Sequence, residues 1–169
     1  MLSNIRPALK SVPPRRRLAA SAALAAAGLA SGAAIKLLDI YTTNLGNIFS
    51  QLSVWILICT VISVYSASPK RAAVNVFVFC AGMLAAYYAS AELLGSVYSL
   101  TFVYGWAVFS LFSPVLAYIT WYAKGKHAVS RLLSAAVILV MLAAAVVLFD
   151  RIRVSDIVIA ALTAAVLFT

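Results

Sequence analysis

Long apolar stretches alternate with short polar segments along almost the whole chain. A membrane-spanning helix needs about 20 mostly apolar residues, because the hydrocarbon core is about 30 Å thick and cannot satisfy exposed backbone groups. Six stretches reach or approach that length: residues 18–38, 48–65, 72–91, 100–121, 129–149 and 154–168. The last stretch is the shortest. The pattern predicts an all-α fold, a bundle of six transmembrane helices.

The segments between these stretches are short and rich in Ser, Asn, Gly, Pro and Lys, which are typical of turns and loops. We therefore expect consecutive helices to pack as antiparallel neighbours in an up-and-down bundle. The predicted organisation is a basic cytoplasmic segment at residues 1–17 and one six-helix transmembrane domain at residues 18–169. No internal repeat is visible, so the repeat design common among transporters has no support in the sequence.

Composition agrees with a membrane protein and argues against a soluble one. Hydrophobic residues make up 65% of the chain and charged residues 10%, whereas soluble proteins have about 45–50% and about 25%. The net charge is +9, which in a soluble protein would suggest nucleic acid. The basic residues lie between the apolar stretches and form no basic stripe on an amphipathic helix, so we expect no nucleic acid partner and take the bilayer as the main one.

The distribution of Lys and Arg predicts the orientation in the membrane. Alternate polar segments hold ten of the thirteen basic residues: Arg6, Lys10, Arg15, Arg16, Arg17, Lys70, Arg71, Lys124, Lys126 and Arg131. The opposite segments hold three basic residues and all four acidic ones, Asp39, Glu92, Asp150 and Asp156. Because cytoplasmic loops are enriched in Lys and Arg, we expect a multi-pass protein of the cell membrane with both termini in the cytoplasm.

Processing at the start of the chain stays open as an alternative. A basic region precedes an apolar stretch that ends in small residues near positions 31–34, as in a signal peptide. The apolar run is longer than the usual signal core of about 7–15 residues, which favours a retained helix.

Residues that carry catalytic chemistry are scarce. The chain has one histidine, His127, in a basic loop, so neither a metal cluster nor a catalytic triad can be assembled from it. Cys59 and Cys80 lie inside apolar stretches, and they would face each other at similar depth if their helices form a hairpin. We expect no enzyme activity, no metal and no cofactor.

Polar and aromatic residues gather at the predicted outer end of the bundle. One interpretation is an interfacial belt of Tyr and Trp with a Lys36–Asp39 pair, because polar groups near helix ends reach water easily. The other is a shallow outward-facing pocket in which aromatic side chains enclose a small solute. The candidate ligand-binding residues are Asp39, Asn47, Gln51, Tyr87, Tyr88, Glu92, Tyr104 and Trp106.

Three further features concern packing between helices. Small residues line one face of helix 1, at Ser21, Ala25, Gly28 and Gly32. That face either packs inside the bundle or contacts a partner membrane protein. Asn75 is expected to bond across to helix 2 or helix 4. A proline inside helix 4, at position 114, frees the carbonyl of residue 110 and should kink the helix.

Three stretches resemble a family of small bacterial integral membrane proteins with six helices and no assigned activity. They are residues 36–56, which begin Lys-Leu-Leu-Asp-Ile-Tyr, residues 68–88, which begin Ser-Pro-Lys-Arg-Ala-Ala, and residues 104–126, which begin Tyr-Gly-Trp and end Trp-Tyr-Ala-Lys-Gly-Lys. In outline the chain is also similar to the substrate-binding S-components of energy-coupling-factor transporters. That similarity rests on an alanine-rich helix 1 and a polar outer end, and it implies solute binding with a partner transporter.

Two functions follow from these observations. One is solute binding or transport through the outward pocket. The other is a non-catalytic accessory or structural role against a partner membrane subunit.

Overall fold

The computed structural model describes residues 5–8, 13–42, 48–49 and 51–169, apart from the side chains of residues 148 and 149. Within these ranges the chain forms six helices and no strand. We number them α1 (Pro14–Tyr41), α2 (Leu52–Tyr65), α3 (Pro69–Leu93), α4 (Leu100–Trp121), α5 (Ala128–Phe149) and α6 (Val154–Phe168). The predicted all-α fold is confirmed. The predicted bounds of α4 and α6 match, whereas α1 is longer at both ends and α2 begins four residues later.

Four helices are long and apolar enough to cross a membrane: α1, α3, α4 and α5. With 14 and 15 residues, α2 and α6 span only about 21–23 Å at 1.5 Å per residue, which is less than the hydrocarbon core. Much of the outer surface of the bundle is apolar, with large side chains such as Leu111, Val147 and Leu132 mostly exposed. Such a surface requires lipid around it, so the chain is a membrane protein.

The short helix α2 occupies the centre of the bundle. It contacts α3, α4, α5 and α6, whereas α1 packs mainly against α3. The main core cluster joins these layers through Ile35 of α1, Trp55 of α2, and Phe79 and Met83 of α3. The prediction that consecutive helices are neighbours is therefore wrong for α1 and α2, because α1 runs parallel to α3 instead.

Glycines on both helices explain why α1 packs against α3. A Cβ atom added to Gly28 would overlap the backbone carbonyl of Phe79, and one added to Gly32 would overlap that of Met83. From the other side, a Cβ on Gly82 would lie 2.9 Å from a carbonyl oxygen of α1. Such close approach of backbones supplies the van der Waals contact that lipid cannot replace.

The small-residue face of α1 thus packs against another helix of the same chain. Ser21, Gly28 and Gly32 are buried and Ala25 is half-buried. Of the two interpretations of this face, the structure shows packing inside the bundle, with α3 as the contacting helix.

Polar side chains tie the helices together near the start of α3. Ser21 donates a hydrogen bond to Asn75 Oδ1 at 2.8 Å, and Asn75 Nδ2 donates to Ser66 Oγ at 3.0 Å. The predicted cross-helix role of Asn75 is confirmed, but its partners lie on α1 and at the end of α2 rather than on α4. In α4, Ser113 donates to the Ser110 carbonyl at 2.8 Å. That is the carbonyl that Pro114 leaves without an amide donor.

The two ends of the bundle differ in charge. We call basic end the one where α1, α3 and α5 begin, and acidic end the one where they finish. At the basic end Arg6 donates to the terminal carbonyls of α2 and α4, at Val64 (2.7 Å) and Trp121 (2.6 Å). Its guanidinium also lies 4.3 Å from the Trp121 ring centre. A cation is favoured there because the carbonyl ends of two helices carry partial negative charge.

Candidate functional site

A cavity of about 290 Å³ opens at the acidic end. Its wall is built from the last turns of α1 and α3, the first turns of α2 and α4, and the loop between α3 and α4. This volume is at the lower limit of small-molecule pockets, about 300–1,000 Å³. The lining residues are Ile35, Lys36, Asp39, Phe49, Trp55, Met83, Leu84, Tyr87, Tyr88, Val97, Tyr98, Ser99, Phe102 and Trp106.

An ion pair supplies the charge of the cavity wall. Lys36 Nζ lies 3.2 Å from Asp39 Oδ2, and Tyr87 donates its hydroxyl to the same oxygen at 3.0 Å. The ammonium also lies 5.1 Å from the Tyr87 ring centre, a cation–π distance. Lys36 is 2% exposed, whereas the Asp39 side chain is 36% exposed. The pair therefore presents its acid to the open side and its cation to the interior.

The ammonium has hydrogen-bonding capacity to spare. An ammonium has three N–H donors, and within the described residues Asp39 is its hydrogen-bond acceptor. Burying a cation costs free energy unless its donors are satisfied. The remaining donors of Lys36 are available to water or to an acceptor group of a solute.

Aromatic rings form the apolar part of the wall. Trp55 and Trp106 meet edge to face with ring centres 6.2 Å apart. The Trp55 indole donates to the Phe49 carbonyl at 2.9 Å, which fixes the ring. On the other side, the rings of Tyr87 and Tyr88 lie 5.2 Å apart. Rings held this way provide rigid apolar surface with hydroxyl groups at its edge.

The loop after α3 closes one side of the cavity. Gly95 has a φ of +60°, and its N–H donates to Glu92 O, while the N–H of Ser96 donates to Ala91 O. This is a Schellman helix end, in which glycine adopts the left-handed conformation without strain. The turn brings Tyr98 back onto α3, where its hydroxyl donates to the Glu92 carboxylate. That hydrogen bond raises the pKa of Tyr98 above its usual value.

The structure brings half of the candidate residues together. Asp39, Tyr87, Tyr88 and Trp106 line the cavity, whereas Asn47 lies outside the described residues.

Three candidates do not line the cavity. Tyr104 is 68% exposed on the outer surface of α4. Glu92 is exposed, and it positions Tyr98. Gln51 is buried but turns toward α6, where Ser155 donates to its Oε1 at 3.0 Å. These three side chains do not line the cavity with the others, because Gln51 bonds to α6, Glu92 accepts from Tyr98, and Tyr104 points outward.

Next to Gln51, a second polar cluster fastens α6 to α2. Ser53 donates to Asp156 Oδ1 at 2.7 Å, and the backbone N–H of Arg153 donates to Oδ2 at 3.0 Å. Asp156 is 3% exposed and caps the first turn of α6, where a negative charge is favoured. Its role is structural, since both oxygens are engaged within the protein.

Part of the cavity lining lies outside the candidate residues drawn from the sequence. Lys36 was interpreted only as the partner of Asp39, and Trp55, Met83, Tyr98 and Phe102 were not selected. Tyr98 belonged to the same polar and aromatic group in the sequence, so that signal was present. No sequence pattern indicated Trp55 as a lining residue, because only the packing of α2 in the centre of the bundle turns its ring toward the cavity.

The cavity offers one ion pair, tyrosine hydroxyls and aromatic rings, and this set suits binding more than bond-breaking chemistry. In the part of the chain that the structure describes, no three His, Cys, Asp or Glu side chains are grouped to hold a metal ion. A solute with an apolar body and charged groups would find complementary surface here.

Comparisons with protein-family models, with curated proteins and with solved structures found no match. The two family resemblances drawn from the sequence stay predictions.

Proposed function

We propose that this membrane protein binds a small solute in the cavity at the acidic end. The observation that carries the proposal is the buried Lys36 ammonium, paired with Asp39 in a mostly aromatic and apolar wall. Ionisable groups within membrane bundles are costly, and they commonly mark solute or ion sites. The accessory role has lost its main support, because the small-residue face of α1 is covered by α3.

The charges of the wall favour a zwitterionic solute with an apolar body. Lys36 and Asp39 place opposite charges 3.2 Å apart, and a solute with both charges can complement the two of them at once. A solute with one charge would be attracted by one member of the pair and repelled by the other. The aromatic rings would hold the apolar body.

Binding can be tested with three compounds that share one apolar body: phenylalanine, phenylacetate and phenethylamine. Two tryptophans, Trp55 and Trp106, line the cavity, and the third, Trp121, lies at the basic end. We expect phenylalanine to change the tryptophan emission at lower concentration than the two singly charged compounds. The response should disappear in W55F/W106F, which retains Trp121 as an internal control.

Substitution of Lys36 tests the observation that carries the proposal. K36M retains most of the apolar stem, and we expect it to weaken phenylalanine binding at least tenfold, about 1.4 kcal/mol. K70M is the matched control, because Lys70 is exposed at the basic end. Equal binding by wild type and K36M, or no emission change with any of the three compounds, contradicts the proposal.

We further propose that the cavity opens away from the cytoplasm and serves solute uptake. The support is the excess of Lys and Arg at the basic end. The test uses single cysteines in a C59S/C80S background, at Val97 in the acidic-end loop and at Lys126 in the basic-end loop. In intact cells an impermeant maleimide should label V97C and spare K126C. The reverse labelling would place the cavity in the cytoplasm and refute the proposed direction.

A further inference from the structure

The two cysteines of the chain meet in the middle of the bundle, away from the solute cavity. Cys59 lies on α2 and Cys80 on α3, and their Sγ atoms are 3.6 Å apart. The prediction that they face each other across a hairpin is confirmed. A disulfide has an S–S length of about 2.05 Å, so bond formation requires the two sulfur atoms to approach by only about 1.5 Å.

A second cavity gives access to this pair. It measures about 310 Å³ and lies between α4 and α5, with α2 as its floor. Cys59 is half-buried and lines it, whereas Cys80 is buried behind, next to Ser113 of α4. Cys59 therefore borders the cavity, and Cys80 lies in contact with it on the neighbouring helix.

The mouth of this cavity is apolar. Leu116 and Ile119 of α4 and Val140 of α5 line it and are about half exposed, on the side of the bundle that faces lipid. Hydrophilic oxidants such as charged disulfides would lose their hydration there without compensation. An oxidant that reaches Cys59 by this route has to dissolve in the membrane and remain neutral in both redox states.

From this geometry we propose that Cys59 and Cys80 form a reversible disulfide and that a lipid-soluble quinone in the second cavity accepts their electrons. Both S–H bonds break and one S–S bond forms. Two electrons and two protons pass to the quinone oxygens, which gives the quinol. The hydroxyl of Thr60 lines the cavity and can donate to a quinone oxygen, whereas those of Ser63 and Ser113 already donate to backbone carbonyls.

The disulfide would act as a cross-link between the central helix and α3. Oxidation joins α2 to the helix that also carries Tyr87 and Tyr88 of the solute cavity. It also removes the thiol that lines the second cavity. The redox state of the membrane quinone pool would thus control how firmly the core helices are held together.

The test uses reduced full-length protein in nanodiscs and a short-chain ubiquinone as the probe. After incubation the protein is denatured, free thiols are alkylated, and the intact mass is measured. We expect wild type to lose both alkylation sites and two hydrogens without forming dimers. C59S and C80S should each retain one alkylated thiol. Dithiothreitol should restore both sites in wild type.

A second comparison tests the route through the cavity. V140W fills the mouth, whereas L139W places the same ring on the neighbouring exposed position, which does not line the cavity. We expect V140W to slow oxidation by the quinone at least tenfold, while L139W oxidises like wild type. The small permeant oxidant diamide should close the disulfide in both variants, which shows that the pair is intact.

Any of three results would overturn the proposal. If both thiols remain alkylated after diamide, the pair does not form a disulfide. If diamide closes the bond but the ubiquinone leaves both thiols free, or if V140W and L139W oxidise at equal rates, the quinone does not act through this cavity.

Discussion

Replacing Gly28 by alanine should weaken the contact between α1 and α3. The new methyl group would overlap the Phe79 carbonyl oxygen, which belongs to the backbone and cannot rotate away. The helices then have to separate, and overpacking of this kind costs about 1–3 kcal/mol. Alanine also favours a helix over glycine by about 0.8–1 kcal/mol, which offsets part of the cost.

Gly105 provides the matched control, because a Cβ added there meets no atom within 4 Å. G105A gains the same helix propensity without overlap, so it should be stabilised by up to about 1 kcal/mol. The propensity gain is common to both variants. The difference between G105A and G28A therefore measures the overlap alone, about 1–3 kcal/mol. G82A should fall between them, since its Cβ would lie 2.9 Å from the Ala25 carbonyl oxygen.

Thermal unfolding of the purified variants in one detergent gives their order of stability directly. Denaturant titrations provide a second measurement of the same order. The expected order of midpoints is G105A highest, then G82A, then G28A. If G28A and G105A shift the midpoint equally and in the same direction, the close backbone contact between α1 and α3 is refuted.

Further predictions concern the polar contacts at the two ends of the bundle. D156N should destabilise the protein by about 1–2 kcal/mol, because the charged cap of α6 is lost, and S53A should destabilise it less. Denaturant titrations measure both free energies of unfolding. A larger loss in S53A than in D156N would mean that the cap is unimportant. R6A should lower the midpoint of thermal unfolding and red-shift the emission of Trp121, because the guanidinium covers that ring. Unchanged emission would mean that Arg6 does not contact Trp121. E92Q should lower the pKa of Tyr98 toward its ordinary value, since the accepting carboxylate raises it; an ultraviolet titration of E92Q against wild type measures this shift, and identical curves would contradict the contact.

The apolar pattern by itself determined the number and type of the helices. Runs of about 20 apolar residues leave the backbone no alternative to helix in lipid, so all six stretches were found and two of them had the observed bounds. The bounds were less accurate where the polar flank is itself a good helix former. The arginines before residue 18 extend α1 to Pro14, where a proline suits the first turn.

The location of the candidate site followed from the sequence, but its composition did not. Polar residues and aromatics concentrated at alternate helix ends indicated one end of the bundle, because polar groups avoid the hydrocarbon core. Which of them share a cavity depends on the rotation of each helix about its axis. Gln51 precedes α2 in an extended conformation and bonds to α6, whereas Trp55, in the first turn of the helix, packs against α3 and α4.

The pairing of helices was decided only by the tertiary structure. Small residues on α1 indicated a close contact, and the sequence left open whether its partner was inside the chain. The partner proved to be α3 rather than the consecutive α2, because Gly82 lets the α3 backbone approach where Gly28 and Gly32 leave room. Complementarity of this kind is a property of two surfaces together. It brings Lys36 to the aromatic wall of α3, although neither helix shows that contact in its own sequence.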